Sequence, residues 1–464
     1  MRYLFYSIVI LYLMPDDTQS LILDLKKYTM NKNNVTSGED YAFKPVPLNA
    51  RSNLFTVTLI RIGIMTALAQ FMLGAMLGHA MTFGEALLAT FLGSLILEFV
   101  SLGLGIAGAR EGLSTSLLAR WCGFGRLGSV LIGLVIAVSL LGWFGVQNAV
   151  FANGLNYAFD GQLGFAWSAA ISGMVITVLV AFGFRALSWT AKIAVPLFFF
   201  VIAWISLILL EGHNIVALIT SAPAGTPLTL GAAATAVAGG YIVCALTTAD
   251  ISRYCQNERH VFWMVTWSII VGEFIVNSIA ILIAHALNTD DVVSIMTQTA
   301  GVLGLLSVIL SAVKINDVNL YSSSLAFANT VEGVTGKKWR HTWLTLGLGI
   351  IGTTLSIMGI LEEFTRFLII LGVVFPPIAG VMLVDYYILR TSRQLFDAAR
   401  AEQKLPTEAS TPQIGWLAVF ACVVGTLAGL GIKFGIPSLN SILVAGLVYG
   451  GLAKINPSLR SSRI

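Results

Sequence analysis

The sequence predicts an all-α polytopic membrane protein with twelve transmembrane helices. Three observations carry that prediction. Of 464 residues, 56% are apolar and 11% charged, with a mean hydropathy of +0.84, so the chain lacks the polar side chains that a soluble protein of this length needs on its surface. Apolar runs near the ~20 residues that cross a bilayer recur along the chain. Basic residues gather in every second connection between those runs.

The runs place spans at 54–78, 84–107, 129–159, 166–184, 190–210, 229–249, 262–287, 302–329, 341–360, 364–389, 414–431 and 436–453. Ahead of them, "MRYLFYSIVILYLMPDD" is too short to span and precedes no small-residue cleavage site. Met30 offers an alternative start, and residues 1–53 are expected to form a disordered cytoplasmic extension.

Lys44 and Arg51 precede the first span. Basic residues then recur as Arg110, Arg120 and Arg126; Arg185 and Lys192; Arg253 and Arg259; Lys337, Lys338 and Arg340; Arg390, Arg393, Arg400 and Lys404; and Lys454, Arg460 and Arg463. The alternate connections carry Asp160, Glu211, Asp290, Asp291, Glu362 and Glu363. Positive charge stays on the cytoplasmic side, so both termini are expected there, in a multi-pass protein of the cell (inner) membrane. The net charge of +4 thus has a topological origin and does not point to nucleic acid.

Several classes are disfavoured. The four cysteines (Cys122, Cys244, Cys255, Cys422) are scattered, without CxxC or Cys/His spacing. No Walker loop, GxSxG or HExxH occurs. No catalytic residue, metal or cofactor is therefore expected, and the chain is not read as an enzyme.

Transporters place substrate at mid-membrane between interrupted helices. Span 1 carries Gly63, Gly74 and Gly78; span 6, five helices later, carries Gly239–Gly240. Interruptions five spans apart suggest an inverted five-plus-five repeat, 54–210 and 229–389, followed by two extra helices and a tail over 390–464. The same glycines would equally serve as packing contacts. In span 3, Trp143 and Gln147 share a helix face, with Asn148 alongside. Span 6 adds Tyr241, and span 8 adds Asn316, Asp317 and Asn319. Aromatic faces stack on flat rings, and amides match the donor–acceptor edge of a nucleobase. Packing of Trp143 in the bundle, with Gln147 bonded to a neighbouring helix, is the competing reading.

At these residues the sequence resembles the nucleobase–cation symporter family, the purine–cytosine permease group, and within it the bacterial cytosine permeases. The resemblance runs from "VPLNAR" (46–51) to the last span through "AREGLSTSLLAR" (109–120), "GWFGV" (142–146), "LTTADISRY" (246–254), "NDVNLYSSSLAFAN" (316–329) and "FPPIAGVMLVDYY" (375–387). It implies a LeuT-like twelve-helix fold, uptake of cytosine or a related heterocycle, and cation coupling. It also implies that Trp143 stacks on substrate, Tyr241 covers the opposite face and Gly240 presents backbone. The cytosine-permease pattern has glutamine three residues before the tryptophan, where this chain has Leu140. Gln147 instead stands four residues after it, as in hydantoin and fungal purine–cytosine relatives. Gly240 and Val243 replace small hydroxyl residues of span 6. Heterocycle transport survives these departures; the particular substrate stays open.

In sodium-coupled relatives the ion lies between spans 1 and 8. Carbonyls come from positions matching Gly63 and Ala67, and span 8 contributes at Ser311, Lys314 and Ile315. Both hydroxyl ligands are missing here, and an ammonium has donors but no acceptor. Lys314 is expected to take the place of sodium, bonding the same carbonyls and tying span 1 to span 8; pairing with Asp317 is the alternative. The coupling ion would then be H+ rather than Na+. Glu273 is a candidate partner for Lys314 or a proton carrier. Arg61 and Glu98, at similar depth in antiparallel helices, are expected to form an ion pair. Asp250 is expected to fix helix ends or a gate.

The function expected is a secondary active transporter working by alternating access, with a heterocycle and the lipid bilayer as partners and the oligomeric state open. The alternatives are a sodium-coupled symporter or a facilitative uniporter for a purine, a hydantoin- or allantoin-like compound, or a pyrimidine precursor.

Overall fold

Helices form all the regular secondary structure among the described residues of the computed structural model, which are 41, 44–65, 68–182, 186–337, 339–409 and 411–455. The side chains of 186–192, 210 and 334 are outside the description. Residues 1–40, Arg185, Lys338, Arg460 and Arg463, which bear on the expected extension and orientation, also lie outside it.

Each of the twelve apolar runs is helical. Span 1 is two helices, α1 (Leu54–Met65) and α2 (Leu68–Ala80), whose axes differ by 54°. Next come α3 (Phe83–Glu111), α4 (Gly125–Ala158), α5 (Phe165–Ala181) and α6 (Ala186–Gly212). Span 6 is α7 (Leu230–Leu246), followed by the short α8 (Thr248–Ser252). Then follow α9 (Glu258–Leu287), α10 (Val292–Thr335), α11 (His341–Ile357) and α12 (Phe364–Leu389). The chain closes with the amphipathic α13 (Arg393–Glu402), α14 (Trp416–Gly431) and α15 (Pro437–Ile455). Among the described residues six helices are long and apolar enough to cross a membrane, or seven with the bent α1–α2 pair as one span. Outward side chains such as Phe99, Trp167, Met174, Leu207, Ile350, Leu427 and Leu447 are exposed, which suits a lipid-facing surface.

Local chemistry sets the helix ends. Thr82 and Glu85 form a reciprocal capping box at α3, Asn257 caps α9 and Asp291 caps α10. Gly112 and Gly336 end α3 and α10 in the left-handed region. The π-helical turn Ile270–Ile275 interrupts α9, and Gly301, at φ 53°, kinks α10 between its first two turns and its long run.

The packing exchanges partners between halves: α2 lies on α9, and α7 lies on α3. Between the halves, α4 packs on α10 and α5 on α11. The last two helices pack on each other and on α12.

Three expectations change. Gly239–Gly240 does not interrupt span 6; α7 runs through the pair, and the break comes at Thr247. A Cβ at Gly239 would collide with the Leu368 carbonyl of α12, and Gly372 of α12 sits equally close to Thr235 and Gly239 of α7. The glycines let two backbones touch. Gly74 and Gly78 are likewise contacts, against Asn277, Ala280 and Ile281 of α9. Finally, residues 45–53 belong to the folded body, not to a disordered tail. Val46 is buried, Arg51 donates to the carbonyls of Ala109 (2.7 Å) and Cys255 (3.0 Å), and Ser52 bridges to Cys255.

Candidate functional site

Trp143 and Gln147 stand one turn apart on α4, so their side chains leave the helix together. Gly142 lacks the Cβ that would strike the Phe367 ring, and Phe367 therefore reaches Trp143. The Phe367 and Phe364 rings of α12 meet the indole edge-on, with centroids 5.4 and 6.0 Å away. Neither lies parallel to it. Gln147 is fully buried. Its Nε2 faces the Met72 sulfur at 3.9 Å, and its Oε1 has no donor. A buried amide oxygen without a donor loses about 1–3 kcal/mol of solvation.

Gly240 adjoins the same stretch of α2, since a Cβ there would lie 3.2 Å from Leu73 Cδ2. Tyr241 is buried, and its hydroxyl donates to the Met65 carbonyl at 2.8 Å. Met65 is the last residue of α1 and has lost the helical partner for that carbonyl. Tyr241 thus fastens α7 to the broken end of α1, and its ring makes no aromatic pair with Trp143 among the described residues.

The amides of α10 are engaged with protein. Asn316 donates to the Phe144 carbonyl (3.3 Å) and accepts from Asn319 (3.4 Å), joining α10 to α4 behind Trp143. Asn148 is a structural junction. It donates to Ala169 O and Ser356 Oγ and accepts from Ser172 Oγ, tying α4 to α5 and α11.

Lys314 lies half-buried on α10, with Ser311 buried and Ile315 half-buried beside it. Its ammonium makes no hydrogen bond or ion pair among the described residues. Among the described residues the expected tie to span 1 is not made: Lys314 does not bond Gly63, and Ala67 lies outside the described residues. Asp317 does not pair with Lys314 either. On one helix these two residues are three apart, and no ion pair closes between them.

Arg61 and Glu98 also form no ion pair. Arg61, 1% exposed, donates to Ser101 Oγ (2.9 Å) on α3 and Ser268 Oγ (3.2 Å) on α9. Glu98 accepts from Thr266 Oγ1 at 2.7 Å. Equal depth did not fix the direction of either side chain around its helix, and nearby hydroxyls took both.

Glu273 is not the partner of Lys314. It sits fully buried in the π-helical turn of α9 and accepts from Gln70 Nε2 at 3.0 Å. Gln70 on α2 also donates to Asn277 Oδ1 at 2.6 Å, and Asn277 reaches Thr90 of α3. Sequence reasoning missed Gln70, Asn277 and Thr90. The spacing of Glu273 and Asn277, four residues apart on one face, was the available signal.

At the end of the bundle where α3 meets α8, the sequence motifs lace together. Asp250 accepts the Thr115 N–H at 2.9 Å, and the Thr115 hydroxyl donates to Leu246 O. Burial pushes the Asp250 carboxyl above the ordinary carboxylate range, and the Thr115 N–H pulls it back. Glu111 accepts Arg400 through both oxygens, and Tyr386 as well. Arg110 pairs with Glu258, and Arg120 with Glu408. A cavity of about 560 Å³ lined by Arg51, Arg110, Asn257, Glu258 and Arg259 opens among these loops, away from Trp143.

A family model described as "Permease for cytosine/purines, uracil, thiamine, allantoin" matches residues 45–451. The cytosine permease of Escherichia coli (strain K12) is 29% identical over 416 residues, 89% of this chain and 94% of that protein. The fold is that of Mhp1. The inward-facing conformation of Mhp1 superimposes with a TM-score of 0.76 at 16% identity, covering 91% of this chain and 96% of Mhp1. The closed conformation with bromovinylhydantoin bound gives 0.68 at 19% identity, covering 90% and 96%.

Proposed function

The chain belongs to the family of permeases for cytosine/purines, uracil, thiamine and allantoin, and from that membership we propose that it is a secondary transporter importing cytosine or a related nucleobase-like heterocycle. It is a multi-pass membrane protein and not an enzyme. The observation that carries the substrate class is the buried, donorless Oε1 of Gln147 one turn from Trp143. A flat ring with an N–H on its edge would stack on the indole and satisfy that oxygen. The bromovinylhydantoin-bound relative is a transporter whose ligand contains such a ring.

Alternating access is the mechanism proposed, with all twelve helical segments crossing the cell membrane and both termini cytoplasmic. The exchange of partners, α2 on α9 against α7 on α3, supports an inverted five-plus-five repeat over 54–210 and 229–389. The change of axis between α1, which ends at Met65, and α2, which begins at Leu68, and the break at Thr247 support it too. These breaks lie where one half can rock against the other.

Lys314 replaces the sodium ion in this proposal. Its ammonium has donors but no acceptor, stands at the position of a lost ligand and meets no counter-charge among the described residues, so when charged it repels sodium. The test is uptake of labelled cytosine, adenine, uracil, hydantoin and allantoin into proteoliposomes, with and without a sodium gradient. At least one heterocycle is expected to enter equally well in both conditions. Entry of none would reject the transporter reading; entry only with sodium would reject the role of Lys314.

A further inference from the structure

We propose that the Thr90–Asn277–Gln70–Glu273 cluster is a proton-binding site, and that Glu273 carries the proton that drives uptake. The inference rests on the transporter reading above and adds the coupling site to it.

The hydrogen-bond directions can be followed from one end. The Thr90 hydroxyl donates to the Ala86 carbonyl at 2.8 Å, so its oxygen is left to accept from Asn277 Nδ2. Asn277 therefore turns Oδ1 toward Gln70, and Gln70 must present Nε2. The same Nε2 gives its second hydrogen to Glu273 Oε2. Two acceptors remain with nothing to accept, Gln70 Oε1 and Glu273 Oε1. All four side chains are fully buried.

An ionised carboxylate in this setting needs a cation or several donors. Glu273 has one amide donor and no ion-pair partner among the described residues. The charged and titratable groups around it are accounted for. From α7, Tyr241 and Cys244 both lie within reach of the Glu273 charge, and the Tyr241 hydroxyl is already committed to Met65. From α1, Arg61 donates through Nε and Nη2 to Ser268 and Ser101, its Nη1 is left without a partner, and it makes no ion pair with Glu273. α2 offers Gln70 and α3 offers Thr90, both neutral. One proton on Glu273 Oε1 converts an orphan acceptor into a donor and leaves the cluster with one fewer unmet acceptor. As a neutral acid Glu273 leaves Gln70 Oε1 as the unmet acceptor of the cluster and no uncompensated buried charge; as an anion it leaves both.

The site is also placed to influence the moving part. Gln70 is the third residue of α2, just past the break in span 1. Gly272, beside Glu273, packs directly on Met65 before the break. Binding a proton from outside and releasing it inside changes how α9 holds the two halves of the broken span. No bond other than O–H forms or breaks.

The test has two arms. Without any substrate, infrared spectra of the wild-type protein at neutral pH are expected to show the C=O stretch of a protonated buried carboxylic acid that is lost in Glu273→Gln. In Glu273→Asp, which keeps an acid should the amide variant fail to fold, the band is expected to shift. A wild-type spectrum without that band would overturn the proposal, whatever the protein transports. In proteoliposomes without sodium, an inward proton gradient of about one pH unit is expected to drive about tenfold accumulation of cytosine or hydantoin at one proton per substrate. Glu273→Gln is expected to keep exchange of labelled for unlabelled substrate and lose the accumulation. Accumulation by Glu273→Gln equal to wild type would overturn the proposal. Absence of exchange in wild type would count against the transporter reading instead.

Discussion

Trp143 owes its position to the residues around it more than to its own burial. Gly142 admits Phe367, and the two phenylalanines of α12 stand near-perpendicular to the indole. Trp143→Ala is expected to weaken heterocycle binding by about 1–3 kcal/mol, roughly 5- to 150-fold in Kd, with little change in melting temperature of the free protein. Equilibrium binding of the transported heterocycle checks this, and unchanged affinity would remove Trp143 from the site. The pair Trp143–Gln147 was legible in the sequence because helical spacing alone puts them on one face. The fates of Asn316, Arg61 and Glu98 were not. Each has a short polar neighbour on another helix (the Phe144 carbonyl, Ser101, Thr266) that no spacing rule announces.

At the scale of helices, glycine has two meanings in this chain. Gly239 is pressed against the Leu368 carbonyl, while a Cβ at Gly63 would meet nothing within 4 Å. Gly239→Ala is expected to force α7 from α12 at a cost of about 1–3 kcal/mol. Gly63→Ala, in a helix interior with open space, is expected to be neutral or to stabilise by about 0.4–1 kcal/mol. Melting of the two variants in detergent compares them directly, and equal melting would refute the close contact. The break in span 1 was anticipated from sequence. The one in span 6 was misplaced, because a glycine pair signals close approach as readily as interruption, whereas Thr247 carries no comparable signal. The π-helical turn of α9 was invisible for the same reason: "IVGEFI" reads as ordinary apolar helix, and only the packing of Gly272 on Met65 reveals it.

For the molecule as a whole, the apolar runs were enough to locate the long apolar helices, since bilayer length is a property of composition; the short α8 and the amphipathic α13 carry no such signal. How the segments pair depends on contacts far apart in sequence. Lys314 shows the limit of reasoning from position alone. The charge was evident, yet the carbonyl tie expected for it is absent, and the polar cluster of the interior formed instead around Glu273 and Gln70. The two observations fit the proposal that the Lys314 ammonium takes the place of sodium and that a buried acid supplies the coupling ion.

The central claim is that a heterocycle binds beside Trp143 and Gln147 without sodium. The most direct measurement is the melting temperature of the purified protein in detergent with cytosine, adenine, uracil, hydantoin or allantoin, with and without sodium. A ligand at about 100 times its Kd stabilises the folded protein by about 2.7 kcal/mol. The account predicts a raised melting temperature with at least one heterocycle, the same in sodium and in its absence, and a smaller rise in Trp143→Ala at the same ligand concentration. No shift with any of them, or a shift that requires sodium, would contradict it.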